Sequence, residues 1–144
     1  TNLKMMFLTE GATDDSFLDL AQGWANGVVG SVSWHADMDY GDPYFGSSTR
    51  IDKMWRHRKD YGNGEAMPEA AAAGVAVGVV LQRAVEESRS TAAADVAAAL
   101  MELKETTFYG PVEFDAEHRN IGHRAVIVQW QCRTNHDPDM PRCK

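Results

Sequence analysis

Pro68, followed by an alanine-rich run that ends near Ser88, constrains this chain more than any other feature. Proline suits a first helical turn, where its missing N–H has no partner to lose. Alanine is the strongest helix former, so residues 68–88 are expected to be one long helix. Gly74 and Gly78 stand four apart within it. In lipid that spacing marks a helix dimer; in water it predicts a helix whose backbone lies close against a sheet. The longest apolar stretch, residues 70–81, is shorter than the ~20 residues needed to cross a bilayer.

On either side of this helix the apolar pattern switches between two periods. Residues 4–9 and 28–34 read as short strands, nearly continuous in apolar side chains, as in parallel strands covered on both faces. Residues 13–25 read as a helix capped by Thr13 or Asp14, with Phe17, Leu20, Ala21 and Trp24 on one face and Asn26-Gly27 as its left-handed stop. A loop rich in Asp, Gly and Tyr covers residues 35–46. A further helix starts at Ser47 or Ser48 and runs to about residue 61, with Ile51, Met54, Trp55 and Arg58 along one side. Another spans residues 92–104 behind Ser90-Thr91, with Val96, Leu100 and Leu103 inward. Residues 107–114 and 124–131 are strand-like. Strands and helices in alternation predict an α/β fold, a largely parallel sheet flanked by helices. The polar residues 133–144 are expected to form a loose tail.

The chain has 144 residues, 44% of them hydrophobic, enough for a domain with a real core. Its net charge of −7 repels phosphate backbones and anionic lipid, so nucleic acid is not an expected partner. One helix face does carry Arg50, Lys53, Arg56, His57 and Lys59, but Asp52 and Asp60 are interspersed and it reads as a solvated face. The first residues, Thr1-Asn2-Leu3-Lys4, begin a strand pattern almost at once, which reads as the middle of a longer protein. The lack of a signal peptide therefore carries no information. Cys132 and Cys143 both lie in the polar tail, where a disulfide and two free thiols fit equally well.

Glu10 is the most suggestive polar residue. It falls just past the first strand and just before a helix start, the edge where ligands bind in open α/β sheets. There, backbone N–H groups and the helix dipole hold a carboxylate ionised, ready for a cation such as an α-ammonium group. By spacing alone, a capping or surface glutamate is the plainer reading. Trp34 and Tyr40 add pocket chemistry. The five histidines give no metal site: His118 and His123 are five apart with no cysteine or carboxylate at a ligand interval. The acidic loop around His35, Asp37 and Asp39 is explained equally well by turn composition. With no phosphate loop, no nucleophile motif and no persuasive carboxylate pair, no catalytic residue and no cofactor are expected, and the chain does not read as an enzyme.

Several stretches occur together in a familiar order. Phe7-Leu8-Thr9-Glu10-Gly11 is followed by Gly27-Val28-Val29-Gly30 and by Tyr40-Gly41-Asp42-Pro43-Tyr44-Phe45. Ala71-Ala72-Ala73-Gly74 through Val80-Leu81-Gln82-Arg83-Ala84 comes next, then Thr107-Phe108-Tyr109-Gly110-Pro111-Val112-Glu113-Phe114-Asp115, and Val126-Ile127-Val128-Gln129-Trp130 closes the series. Over about residues 3–131 this resembles the C-terminal part of type I periplasmic binding proteins, in the branched-chain amino-acid (Leu/Ile/Val) branch. The resemblance implies a two-lobed protein with an amino-acid ligand in the inter-lobe cleft, a membrane permease of an ABC importer as partner, and a periplasmic or extracellular location. Residues 1–27 would belong to the second lobe, 28–122 to the first, 123–131 to a return strand and 132–144 to a tail. Hinges would lie near residues 27–30 and 119–122.

Glu10 matches the position at which the family's amino-acid binders grip the ligand ammonium. His118 stands where relatives usually have a turn glycine, and histidine tolerates the left-handed geometry better than most residues. A fragment of this kind exposes sheet edges and apolar helix faces, so self-association is expected of it alone. A ligand-sensing receptor or regulatory domain on the same fold is the alternative function.

Overall fold

The structure, a computed structural model, describes residues 5–9 and 15–131. The described residues form two compact units: those up to Val32 with those from Ala125 onward, and Ser33–Arg124.

The first unit holds a three-stranded sheet of β1 (Phe7–Leu8), β2 (Val29–Val32) and β7 (Val126–Gln129), in the order β1-β2-β7. β1 and β2 run parallel, Phe7 opposite Val29 and Leu8 opposite Gly30. β7 runs antiparallel to β2, from Val29 opposite Gln129 to Val32 opposite Val126. Between β1 and β2 lie α1 (Asp15–Ala21) and a 3-10 turn, Gln22–Ala25. Gly27 then takes a positive φ of 81°, the left-handed stop expected there. Strand burial departs from expectation. In β2 only Gly30 and Val32 are buried, while Met5 is 67% and Phe7 46% exposed. Leu20 and Trp24, assigned to the apolar face of the helix expected over residues 13–25, are 88% and 90% exposed. The apolar pattern is one that needs cover on both sides, and in β2 the described residues cover one. The expected caps Thr13 and Asp14 lie outside the described residues.

The second unit is built around α3 (Glu69–Ser88). Ala72, Ala76 and Val79 repeat at helical spacing and are buried with Trp34, Ile51, Met67 and Phe108. α2 (Ser48–Arg56) packs Ile51 into that core, and its cap is the one expected: Ser47 Oγ accepts the Arg50 N–H at 3.2 Å. Asp52, buried on the same helix, accepts the Met67 N–H at 2.8 Å and the Arg56 Nε–H at 2.7 Å, which fixes the chain entering α3. α4 (Ala93–Glu102) packs on α3, with Val96 and the adjoining Leu103 buried. Past the end of α4, at Glu105, Arg83 of α3 grips the carboxylate through Nε and Nη2, the latter at 2.6 Å.

Two short antiparallel pairs complete the unit, β3 (Gly41–Asp42) with β4 (Gly46–Ser47) and β5 (Lys104–Thr107) with β6 (Gly110–Glu113). Two corrections follow. Residues 107–114 are not one strand, because Phe108 and Tyr109 form a two-residue turn between β5 and β6. Among the described residues only β1 and β2 are parallel, so the largely parallel sheet expected from sequence is present at one pair of strands. The remaining pairs include hairpins closed by turns too short for a parallel crossover.

The boundary between the units falls at Val32–Ser33 and Arg124–Ala125, a few residues beyond the crossings expected near 27–30 and 119–122. β2 sets the first of these, since its strand partners are β1 and β7, both in the first unit. His118 adopts φ 63° in a turn organised by Asp115, whose carboxylate accepts N–H groups from Glu117 and from the Arg119 backbone and side chain. The Arg119 side chain, followed by its backbone N–H, holds that carboxyl below its ordinary value.

Gly74 and Gly78 mark no close contact. A Cβ added at either meets nothing within 4 Å among the described residues. Mid-helix glycine costs roughly 0.5–1 kcal/mol relative to alanine. Gly74→Ala and Gly78→Ala are therefore each expected to stabilise the chain by about that amount, read as a higher urea midpoint at unchanged slope. A lower midpoint would show a packed neighbour on that face.

Candidate functional site

Glu10 lies outside the described residues; in sequence it follows β1 by two residues and precedes α1 by five. Trp34 and Tyr40 both belong to the second unit and converge on the Phe108–Tyr109 turn. Trp34 is 3% exposed, and its Nε1–H donates to the Phe108 carbonyl at 3.1 Å. Its ring meets Phe108 edge-on, with centroids 6.4 Å apart. The half-buried Tyr40 approaches the same turn, its ring carbon Cε2 lying 3.5 Å from where a Cβ on Gly110 would sit.

Other groups fix this turn from every side. Asp42 accepts the Phe108 N–H through Oδ2 at 3.0 Å, and the Tyr44 and Phe45 N–H groups through Oδ1. Ser48 Oγ donates to the Phe108 carbonyl at 2.6 Å. The Tyr109 N–H donates to Thr107 Oγ1 at 3.1 Å. These bonds fix the backbone that carries Tyr109, without a glycine in either central place of the turn.

Polar groups gather around Tyr109 at the end of the unit where the chain enters and leaves. Ser33, the first residue of the unit, donates its N–H to Glu69 Oε1 at 3.2 Å. Glu69 opens α3, where the helix dipole favours its charge. Burial, and then the Glu69 carboxylate, push the Tyr109 phenol above its ordinary value, while a hydrogen bond with Ser33 draws it back. His123, next to last in the unit, stacks on Tyr109 with ring centroids 5.1 Å apart at 30°. Both of its ring nitrogens are buried and have no hydrogen-bond partner among the described residues. A half-buried carboxylate beside a phenol hydroxyl suits an ammonium or hydroxyl group, whereas nothing here resembles a nucleophile paired with a base.

Sequence reasoning missed Ser33, Glu69 and Tyr109 as site residues and weighed His123 only as a metal ligand with His118. Among the described residues no three His, Cys, Asp or Glu side chains come together to hold a metal ion. No short-range spacing connects residues 33, 69, 109 and 123; the one cue was Glu69 at a helix start behind Pro68.

Gly110 keeps this arrangement possible. Its φ is 141°, and a Cβ there would lie 2.5 Å from His123 Nδ1. Gly110→Ala is expected to cost about 1–3 kcal/mol in strain and to lift His123 off Tyr109. Denaturant unfolding reads the first effect and the imidazole proton shifts in NMR the second. Unchanged imidazole shifts would contradict the packing described.

A larger cavity of about 420 Å³ lies between α3, α4 and the β5–β6 hairpin. Its walls are apolar apart from Thr107, Tyr109 and Asn120, so it carries no charged handle for a solute.

A family model described as periplasmic binding protein matches residues 1–137. The chain belongs to the periplasmic binding protein family. The family binds small-molecule ligands, is typically non-enzymatic, and is periplasmic or extracellular. No helix among the described residues is long and apolar enough to cross a membrane.

Proposed function

We propose that this chain belongs to the ligand-binding component of an ABC-type importer and takes an amino acid, or a similar small amine-bearing solute, in the ligand cleft of the complete protein. The observation that carries the reading is the family match over residues 1–137, which includes Glu10, in sequence two residues past β1 and five before α1. Glu10 receives the ligand ammonium. Tyr40 lines the site, and Trp34 acts from beneath by fixing the turn that presents Tyr109. The branched-chain class follows from the sequence resemblance.

The division into two compact units, with chain crossings near Val32–Ser33 and Arg124–Ala125, supports reading them as parts of two lobes. In the complete protein each lobe has the mostly parallel sheet typical of α/β folds. The transporter's membrane permease is then the macromolecular partner. Exposed Leu20 and Trp24 support self-association when the chain is alone.

The test is a thermal-shift panel on the full-length protein with L-amino acids, sugars and dicarboxylates. A ligand that binds only the folded state at 100 times its Kd stabilises by about 2.7 kcal/mol, so a true ligand moves the midpoint clearly. Amino acids are expected to raise it. A rise with sugars alone would contradict the proposal.

A further inference from the structure

The outer face of α2 combines two features that the solute-binding reading leaves unexplained. Arg50, Lys53, Met54 and His57 follow one another at helical spacing up to the C-cap of α2, with Arg58 just beyond it, and all are exposed. Arg50, Lys53 and Lys59 make no ion pair among the described residues. Next to this stripe is a pocket of about 180 Å³, lined by Phe45, Met54, Trp55, Arg58, Tyr61 and Met67 among others. Tyr61, 50% exposed, is fixed between the Trp55 ring at 4.5 Å and the Arg58 guanidinium at 5.2 Å. Met54 is 47% exposed at its edge.

We infer that this face docks an acidic segment of another protein that inserts one apolar side chain into the pocket. The size of the pocket argues for a side chain, since cavities for free small molecules run to about 300–1,000 Å³. Its composition of Met, Trp, Tyr and Arg is that of the buried centre of a protein interface. Charge decides the partner. On a chain of net charge −7, a local cluster of uncompensated cations attracts and orients an acidic surface. Asp52 and Asp60, each paired with an arginine, thin the local positive charge that a polyphosphate requires, and the apolar pocket beside it has no use for one.

The test uses a fluorescein-labelled peptide with four glutamates on each side of one leucine, titrated against the full-length protein by anisotropy. Saturable binding is expected, weakening about tenfold or more as salt rises from roughly 50 to 500 mM, as for screened charges. It should fall at least as far when leucine is replaced by glycine in the peptide, and in Arg50→Glu/Lys53→Glu or Met54→Asp protein with an unchanged thermal midpoint. Should the charge reversal impair folding, Arg50→Gln/Lys53→Gln is expected to give a smaller loss in the same direction. No binding, equal binding of the leucine-free or a lysine peptide, or binding that the variants leave intact overturns the inference. So does equal or tighter binding of phosphatidylglycerol vesicles or a thymidine oligonucleotide, which would assign the face to lipid or nucleic acid.

Discussion

Replacing Phe108 by alanine is expected to destabilise the second unit by about 3–5 kcal/mol, the range for deleting a large buried aromatic ring. Phe108 has no exposed surface and meets Trp34 and Phe45 edge-on, at centroid distances of 6.4 and 5.7 Å. Its removal takes away the transfer energy of the ring and both aromatic contacts, and it leaves a cavity between α2, α3 and the β5–β6 turn. Domains of this size are stable by only about 5–15 kcal/mol, so the loss would be a large fraction of the total. Denaturant unfolding, with the slope checked for constancy, measures it. A loss below about 1 kcal/mol would show that the core of the unit lies elsewhere. The turn's hydrogen bonds to Asp42, Trp34 and Ser48 use the Phe108 backbone, so they resist the substitution and keep the effect one of packing.

Features that depend on neighbours in sequence were legible before the structure. Pro68 and the alanines gave α3 to within a residue of its observed start at Glu69, and the pair Ser47-Ser48 marked the start of α2, which ends at Arg56 rather than near residue 61. Gly27 and His118 take the left-handed conformations their contexts required. The Phe108–Tyr109 turn was not legible. Thr107, Phe108 and Tyr109 in succession, with Val112 and Phe114 beyond, read as strand, and the groups that bend the chain there come from residues 34, 42 and 48. Gly74 and Gly78 misled for a related reason: glycine spacing says that a close approach is allowed, not that a neighbour is present. The arrangement of Ser33, Glu69, Tyr109 and His123 is wholly long-range, so no local pattern announced it.

Glu10→Gln is expected to weaken amino-acid binding by roughly 30-fold to several thousandfold, the equivalent of about 2–5 kcal/mol for removing one partner of a desolvated charge pair. Glutamine keeps the size and hydrogen-bonding capacity of the side chain but cannot balance an ammonium charge, so stability without ligand should stay nearly unchanged. Isothermal titration of the full-length protein with an L-amino acid, and with the matching 2-hydroxy acid that lacks the amine, measures this most directly. The expected result is tight binding of the amino acid by the parent, at least about 30-fold weaker binding of the hydroxy acid, and loss of that preference in Glu10→Gln. Equal affinity for both ligands, or a variant that binds the amino acid as tightly as the parent, would contradict the assignment of Glu10 to an amine-bearing solute.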